Sequence, residues 1–198
     1  MLIIGLCGGS GSGKGYVCKL FERYDIPCID TDRLYREVTV KKGSKCLNEL
    51  CEAFGYGILD QDGELNRRIL ADIVFLRNGT RVLNEITHKH IKVDTDVLVD
   101  KYKNEGKKAV LIDAPVLFES GFDRMCNYTI CVIASYETRL ERILKRDGIT
   151  EEKAKKRMDS QLSNEELIAL CDFQIENEQN SDLDTQITTI LNKLNLLN

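Results

Sequence analysis

Histidine is almost absent from this chain: His88 and His90 are the only two. With so few imidazoles beside the eight cysteines, no metal cage is assigned. Cys46 and Cys51, like Cys126 and Cys131, are separated by four residues, and with only two histidines available the pattern fits no zinc-site spacing well. A single-signed charge is also missing. Lys and Arg number 28 against 32 Asp and Glu, for a net charge of −4, and the basic residues are spread along the chain, so no nucleic-acid partner is expected. Long apolar runs are lacking too. The longest reach about ten residues, roughly half of a membrane span. The first residues show neither a basic start nor a small-residue cleavage site, so the expected location is the cytoplasm. There is no internal repeat and no low-complexity tract.

What is present suits one globular core. The chain has 198 residues, 42% hydrophobic and 30% charged, enough for one sizeable core and a smaller appended subdomain. Cys7, Cys28 and Cys131 fall inside apolar runs, where reduced buried thiols are expected rather than a disulfide scaffold. Leu2 to Leu6 forms a short apolar run that stops at a glycine cluster, after which Val17, Leu20 and Phe21 recur at helical spacing. Further short runs are Pro27 to Ile29, Ala109 to Ile112, Tyr128 to Ala134 and, more weakly, Phe173 to Ile175. Near-continuous apolar runs separated by helices predict a parallel sheet covered on both faces. A terminal helix is expected from about Asp182, with Leu183, Ile187, Ile190, Leu191 and Leu194 on one stripe. Between the second and third runs, helical periodicity dominates with little strand character, which predicts a helical subdomain inserted on the sheet.

The most specific local signal is Gly8-Gly9-Ser10-Gly11-Ser12-Gly13-Lys14, the G-x-x-x-x-G-K part of a phosphate loop in its required context of strand before and helix after. Glycines let the backbone turn tightly, the helix start adds positive potential, and Lys14 can bridge the β- and γ-phosphates of a nucleotide. Gly15 stands where Ser or Thr normally offers a hydroxyl to Mg²⁺. Magnesium keeps several waters and is held largely by phosphates, so one missing ligand need not abolish binding.

Carboxylates end the next two runs. Asp30 and Asp32 follow the second: Asp32 is a candidate proton acceptor for an acceptor hydroxyl and Asp30 an outer-shell partner of the metal, while either also suits a turn or helix cap. Asp113 closes the third run, where a water-mediated magnesium role is favoured; Glu119 reads equally as a cap or a partner for a basic group. Arg139, Arg142 and Arg146 recur at helical spacing on one face. Arg142 and Arg146 are the candidates to close over a transferring phosphoryl group, against the alternative of a solvated basic face. Arg67-Arg68 either grip an anionic acceptor or flank the stripe of Leu65, Ile69 and Ile73, and His88 is a candidate for the acceptor pocket.

Together these residues resemble dephospho-CoA kinase over nearly the whole chain. Gly5 to Lys14 is similar to that family's opening loop, Ile29-Asp30-Thr31-Asp32 to its D-x-D segment, and Asp62-Gly63-Glu64-Leu65-Asn66-Arg67-Arg68 to its D-G-x-L-x-R-R segment. Leu83-Asn84 to His88 resembles its helix leading to a histidine, and Asp113-Ala114-Pro115-Val116-Leu117-Phe118-Glu119 its D-x-P-L-L-F-E strand end. Arg142 and Arg146-Asp147 match its lid, Gln161 a glutamine after it, and Ile175 with Asn177 its late turn near the adenine. The departures are Gly15 and Lys89, which follows His88 where the family commonly has proline.

The resemblance implies a three-layer α/β/α P-loop fold with a five-stranded parallel sheet. It implies a nucleotide-binding core at 1–43, 106–136 and 161–198, a helical acceptor subdomain at 44–105 and a small helical lid at 137–160. The implied reaction is transfer of a phosphoryl group from ATP, with Mg²⁺, to the ribose 3′-hydroxyl of dephospho-CoA, with Asp32 as base. Gly8 to Tyr16 and Asn177 would bind ATP, and Asp32, Arg67, Arg68 and His88 the acceptor. A monomer or small homo-oligomer is expected. The rival readings are another small-molecule or nucleoside monophosphate kinase on the same fold, which fold alone does not exclude, and a non-catalytic nucleotide-binding regulator.

Overall fold

The computed structural model describes residues 1–197. Five strands, β1 (Leu2–Cys7), β2 (Cys28–Asp30), β3 (Ala109–Asp113), β4 (Tyr128–Ile133) and β5 (Phe173–Glu176), form one parallel sheet in the order β2-β3-β1-β4-β5. All five expected apolar runs are therefore strands. The helices in chain order are α1 (Lys14–Glu22), α2 (Thr31–Leu34), α3 (Lys45–Phe54), α4 (Arg67–Leu76), α5 (Thr80–Asn104), α6 (Tyr136–Asp147), α7 (Glu151–Asp159), α8 (Asn164–Leu170) and α9 (Leu183–Lys193). All eight cysteines are free thiols.

The chain divides into two compact units, one of residues 1–28 and 102–198, the other of residues 29–101. In the first, Ile4 and Leu6 of β1, Leu111 of β3, Ile130 and Val132 of β4 and Ile175 of β5 are buried with Val17, Leu20 and Phe21 of α1 and Ile187, Ile190 and Leu191 of α9. Each such side chain removed from water contributes about 1.5–3 kcal/mol, so the stripe read from Asp182 onward holds α9 against the sheet. The register sets Leu6 opposite Asp113 and Cys7 opposite Cys131, which brings the end of β3 beside the start of the glycine-rich loop.

A helical hairpin follows β4. Ser135 caps α6 through the Thr138 amide, Gly148 ends it in the left-handed region (φ 61°), and Thr150 caps α7. Ile143, Ala154 and Met158 are buried between the two helices. Across their ends, Arg146 and Arg157 converge on Asp147, and the two guanidinium groups, Arg146 foremost, hold its carboxyl well below the usual carboxylate range.

The second unit has its own core, in which Val40, Leu47, Leu50, Phe54, Ile58, Leu70 and Val74 are buried. Residues 29–43, read from sequence as part of the sheet core, cluster with this helical unit. Its 25-residue helix α5 runs through Lys89 without interruption, as the loss of proline's restriction allows.

Candidate active site

In the first unit the chain leaves β1 and turns through the glycine-rich loop into α1. Gly11 (φ 81°) and Gly13 (φ 90°) adopt left-handed backbone, and a Cβ on either would strike the Arg139 backbone or the Asn177 side chain. Only glycine meets both demands. Four carbonyls of the loop are held. Lys14 Nζ donates to Gly8 O at 2.8 Å, Arg139 Nε to Ser10 O at 2.9 Å, and Asn177 Nδ2 to Ser12 O at 2.8 Å. Arg142 Nη1 reaches Gly11 O and Ser12 O at 3.3 and 3.4 Å. Gln161 Oε1 accepts from Ser10 N at 2.8 Å. A loop anchored by its carbonyls at a helix start is shaped to offer amides to an anion.

Beside it lies an open cleft of about 560 Å³, lined by Gly13, Tyr16, Arg142, Asn177, Glu178 and Asp184 among others. That volume is within the range of small-molecule sites. Tyr16 is exposed on α1, whereas Asn177 is buried and its amide donates to Ile133 O at 2.8 Å, fixing the turn after β5. Glu178 accepts from Thr138 Oγ1 at 2.7 Å and from Ser135, so it ties this turn to the start of α6. Asp113 is half-buried at the end of β3, with the Cys18 thiol 3.9 Å from its Oδ2.

Of the three arginines on α6, Arg139 and Arg142 reach the loop, and the exposed Arg146 pairs with Asp147 through two hydrogen bonds of 2.6 and 2.9 Å. Sequence reasoning singled out Arg142 and Arg146 and passed over Arg139, which at 5% exposure is the most enclosed of the three. The signal was its spacing of four residues from the apolar Ile143, which puts the two on the same buried face of α6.

In the second unit, Asp30 Oδ1 accepts from Arg33 N at 2.9 Å and caps α2, while the Asp32 side chain is exposed on the first turn. The D-G-x-L-x-R-R segment folds as a compact turn. Asp60 Oδ1 accepts from the amides of Asp62 (3.0 Å) and Glu64 (2.9 Å), Gly63 is left-handed (φ 76°), and Leu59 pairs with Leu65. Asn66 then caps α4, which places Arg67 and Arg68, both exposed, in its first turn. The Arg67 guanidinium lies 5.2 Å from the Tyr35 ring centroid, a cation–π distance. No acidic residue occupies that turn, although a helix start favours acids and disfavours cations. Two arginines there, added to the helix dipole, concentrate positive potential at one exposed point. His88 is half-buried on α5, and burial pushes its imidazole pKa down.

Among the described residues no group of three His, Cys, Asp or Glu side chains gathers to hold a metal, and no helix is long and apolar enough to cross a membrane.

Comparison with known proteins agrees with this geometry. The family model described as dephospho-CoA kinase matches residues 2–182. A dephospho-CoA kinase of Bacillus cereus is 38% identical over 198 residues, covering 99% of this chain and 98% of that protein. One from Saccharomyces cerevisiae is 35% identical over 201 residues, covering 98% and 83%. Among solved structures, one from Thermus thermophilus superposes with a TM-score of 0.80 at 26% identity, covering 98% of this chain and 97% of the other. A dephospho-CoA kinase from Campylobacter jejuni gives a TM-score of 0.69 at 23% identity, over 97% and 96% of the two chains, which speaks for the fold. With a phosphate loop braced from α6 and β5, an arginine-bearing helix start, and relatives matching from end to end, this chain belongs to the dephospho-CoA kinase family.

Proposed function

We propose that this protein transfers the γ-phosphoryl group of ATP to the ribose 3′-hydroxyl of dephospho-CoA, giving CoA and ADP, the last step of coenzyme A synthesis. The observation that carries the reading is the anchored phosphate loop with Lys14 at the start of α1, in a chain that belongs to this family over its length. Lys14 leaves Gly8 O for the β- and γ-phosphates when ATP enters. Gly8 to Gly13 and Gly15 supply backbone to the phosphates, and Tyr16 and Asn177 line the nucleoside side of the cleft. The α6–α7 hairpin is the lid; from it Arg142 faces the loop, and Arg146 exchanges Asp147 for the transferring phosphoryl.

Asp32 accepts the proton of the attacking hydroxyl. Arg67 and Arg68, with the α4 dipole behind them, take the pyrophosphate of the acceptor, and His88, whose imidazole pKa burial pushes down, lines the acceptor pocket. Magnesium, carried mainly by the nucleotide phosphates and water, would neutralise charge developing on the transferred group. Asp113 and Asp30 would be its partners through water. The enzyme acts on free small molecules in the cytoplasm, as a monomer or small homo-oligomer, without nucleic acid.

Gly15 allows a direct check of the metal shell. A Cβ there meets nothing within 4 Å, and the backbone is not left-handed. Gly15→Ser is therefore expected to fold as the parent and to raise apparent Mg²⁺ affinity by less than about tenfold, the scale of one added oxygen ligand. Magnesium titration of turnover reads this, and a loss of activity would mean the loop needs glycine at this point.

The acceptor is tested with a panel of dephospho-CoA, adenosine, AMP, CMP, shikimate and gluconate, each given with MgATP while ADP release is followed. Only dephospho-CoA is expected to turn over well, with the new phosphate on the 3′-oxygen by fragmentation. Adenosine lacks the pyrophosphate that Arg67 and Arg68 hold, so its remote binding energy does not align the hydroxyl. Faster phosphorylation of AMP or CMP would overturn the acceptor while leaving the kinase.

A further inference from the structure

Arg139 is a buried cation that no carboxylate pairs with among the described residues. Its Nε donates to Ser10 O at 2.9 Å, its guanidinium lies over Gly9 where a Cβ would displace it, and its Nη2 is buried without a hydrogen-bond partner. Glu178, on the turn after β5, is engaged with Ser135 and Thr138. Burial lowers the Arg139 pKa, yet a guanidinium stays charged in proteins. Lys14 and Arg142 add two more cations to the same loop, whose helix start is itself electropositive.

A buried charge without a counter-ion is expensive, and a donor left unsatisfied adds to that cost. A brace for Ser10 O needs one neutral donor, not a guanidinium. What distinguishes arginine here is its charge, directed at a loop built for anions.

We infer that Arg139 is a binding residue for the nucleotide's polyphosphate, whose negative charge is the counter-ion this guanidinium lacks in the empty loop. The inference rests on the nucleotide side of the proposed function and is independent of which acceptor is used. Its consequence is a trade of stability against binding: the empty protein carries an unneutralised charge that polyphosphate relieves.

The test compares the parent with Arg139→Gln, which keeps a donor for Ser10 O and removes the charge, and with Arg139→Lys, which keeps the charge. Melting temperature is measured without ligand, and affinity is measured for ATP, inorganic tripolyphosphate and adenosine. Arg139→Gln is expected to melt at or above the parent temperature without ligand. It should bind ATP and tripolyphosphate about 10- to 100-fold more weakly, the scale of one charge-assisted contact, and adenosine with unchanged affinity. Its KM for ATP should rise with kcat nearly unchanged, as for a contact made equally in ground and transition states. Arg139→Lys should recover most of the loss. A lower melting temperature or failure to fold in Arg139→Gln, with parental affinity per folded molecule, would make Arg139 a structural brace and overturn the proposal. Equal weakening of adenosine and ATP would do the same. Because no acceptor is present, failure here and failure of the acceptor panel are separate results.

Discussion

Lys14→Ala is expected to fold with a melting temperature close to that of the parent and to turn over about 10³-fold more slowly. The size follows from removing one well-placed charge from a site where charge develops on the transferred phosphoryl, about 4 kcal/mol of barrier. The stability side follows from position. Lys14 is half-buried at the first residue of α1, and its Nζ donates to Gly8 O at 2.8 Å, a bond that closes the empty loop rather than the core. Such a bond contributes about 0.5–1.5 kcal/mol, so circular dichroism and thermal melts should differ little while coupled ADP release collapses. Near-parental turnover would return Lys14 to the role of a strut across the loop.

Asp32→Asn is expected to lower kcat by about 10²- to 10⁴-fold, the usual worth of a general base, with ATP affinity held within about twofold. The substitution preserves shape and removes the proton acceptor. The competing explanation, that an aspartate here only caps a helix, is separated by the structure. Asp30 is the cap, with its Oδ1 on Arg33 N at 2.9 Å, and Asp32 lies two residues on, in the first turn, with its side chain exposed. Asp30→Asn should therefore be nearly silent in stability, because asparagine caps as well as aspartate, whereas Asp30→Ala should cost about 0.5–2 kcal/mol. A parental kcat in Asp32→Asn would remove the base from the mechanism and leave positioning alone to drive transfer.

The strands were legible because parallel-sheet strands buried on both faces must be apolar throughout, and Leu2 to Cys7 and Ala109 to Ile112 are. The phosphate loop was legible because its glycines answer to backbone geometry, which is local. The α6 arginines were not. Arg139, Arg142 and Arg146 have the same residue type and nearly the same spacing, and what separates them is the fold around them: Gly9 beneath the first, and Asp147 with Arg157 across a hairpin from the third. The division of labour between Asp30 and Asp32 was open for a similar reason. Both residues suit a turn, and which one meets the Arg33 amide depends on where α2 begins. The membership of residues 29–43 was also hidden, since Val40 is apolar in either setting and is buried against Leu47 and Leu50 only once α3 has formed. Strand order leaves no mark in a single sequence at all.

The placement of β1 between β3 and β4 has a consequence for how the chain is made. Its partners are Ala109 to Asp113 on one side and Tyr128 to Cys131 on the other. At translation rates of about 5–20 residues per second, roughly 5–20 s pass between the emergence of Leu2 and that of its first partner. For that interval the segment Leu-Ile-Ile-Gly-Leu-Cys has no sheet to join, while residues 29–101 already hold a core of their own. Nascent chains should therefore present a sticky amino-terminal segment to chaperones until the ribosome has passed the middle of the message, and refolding should be slow relative to a helical protein of equal length.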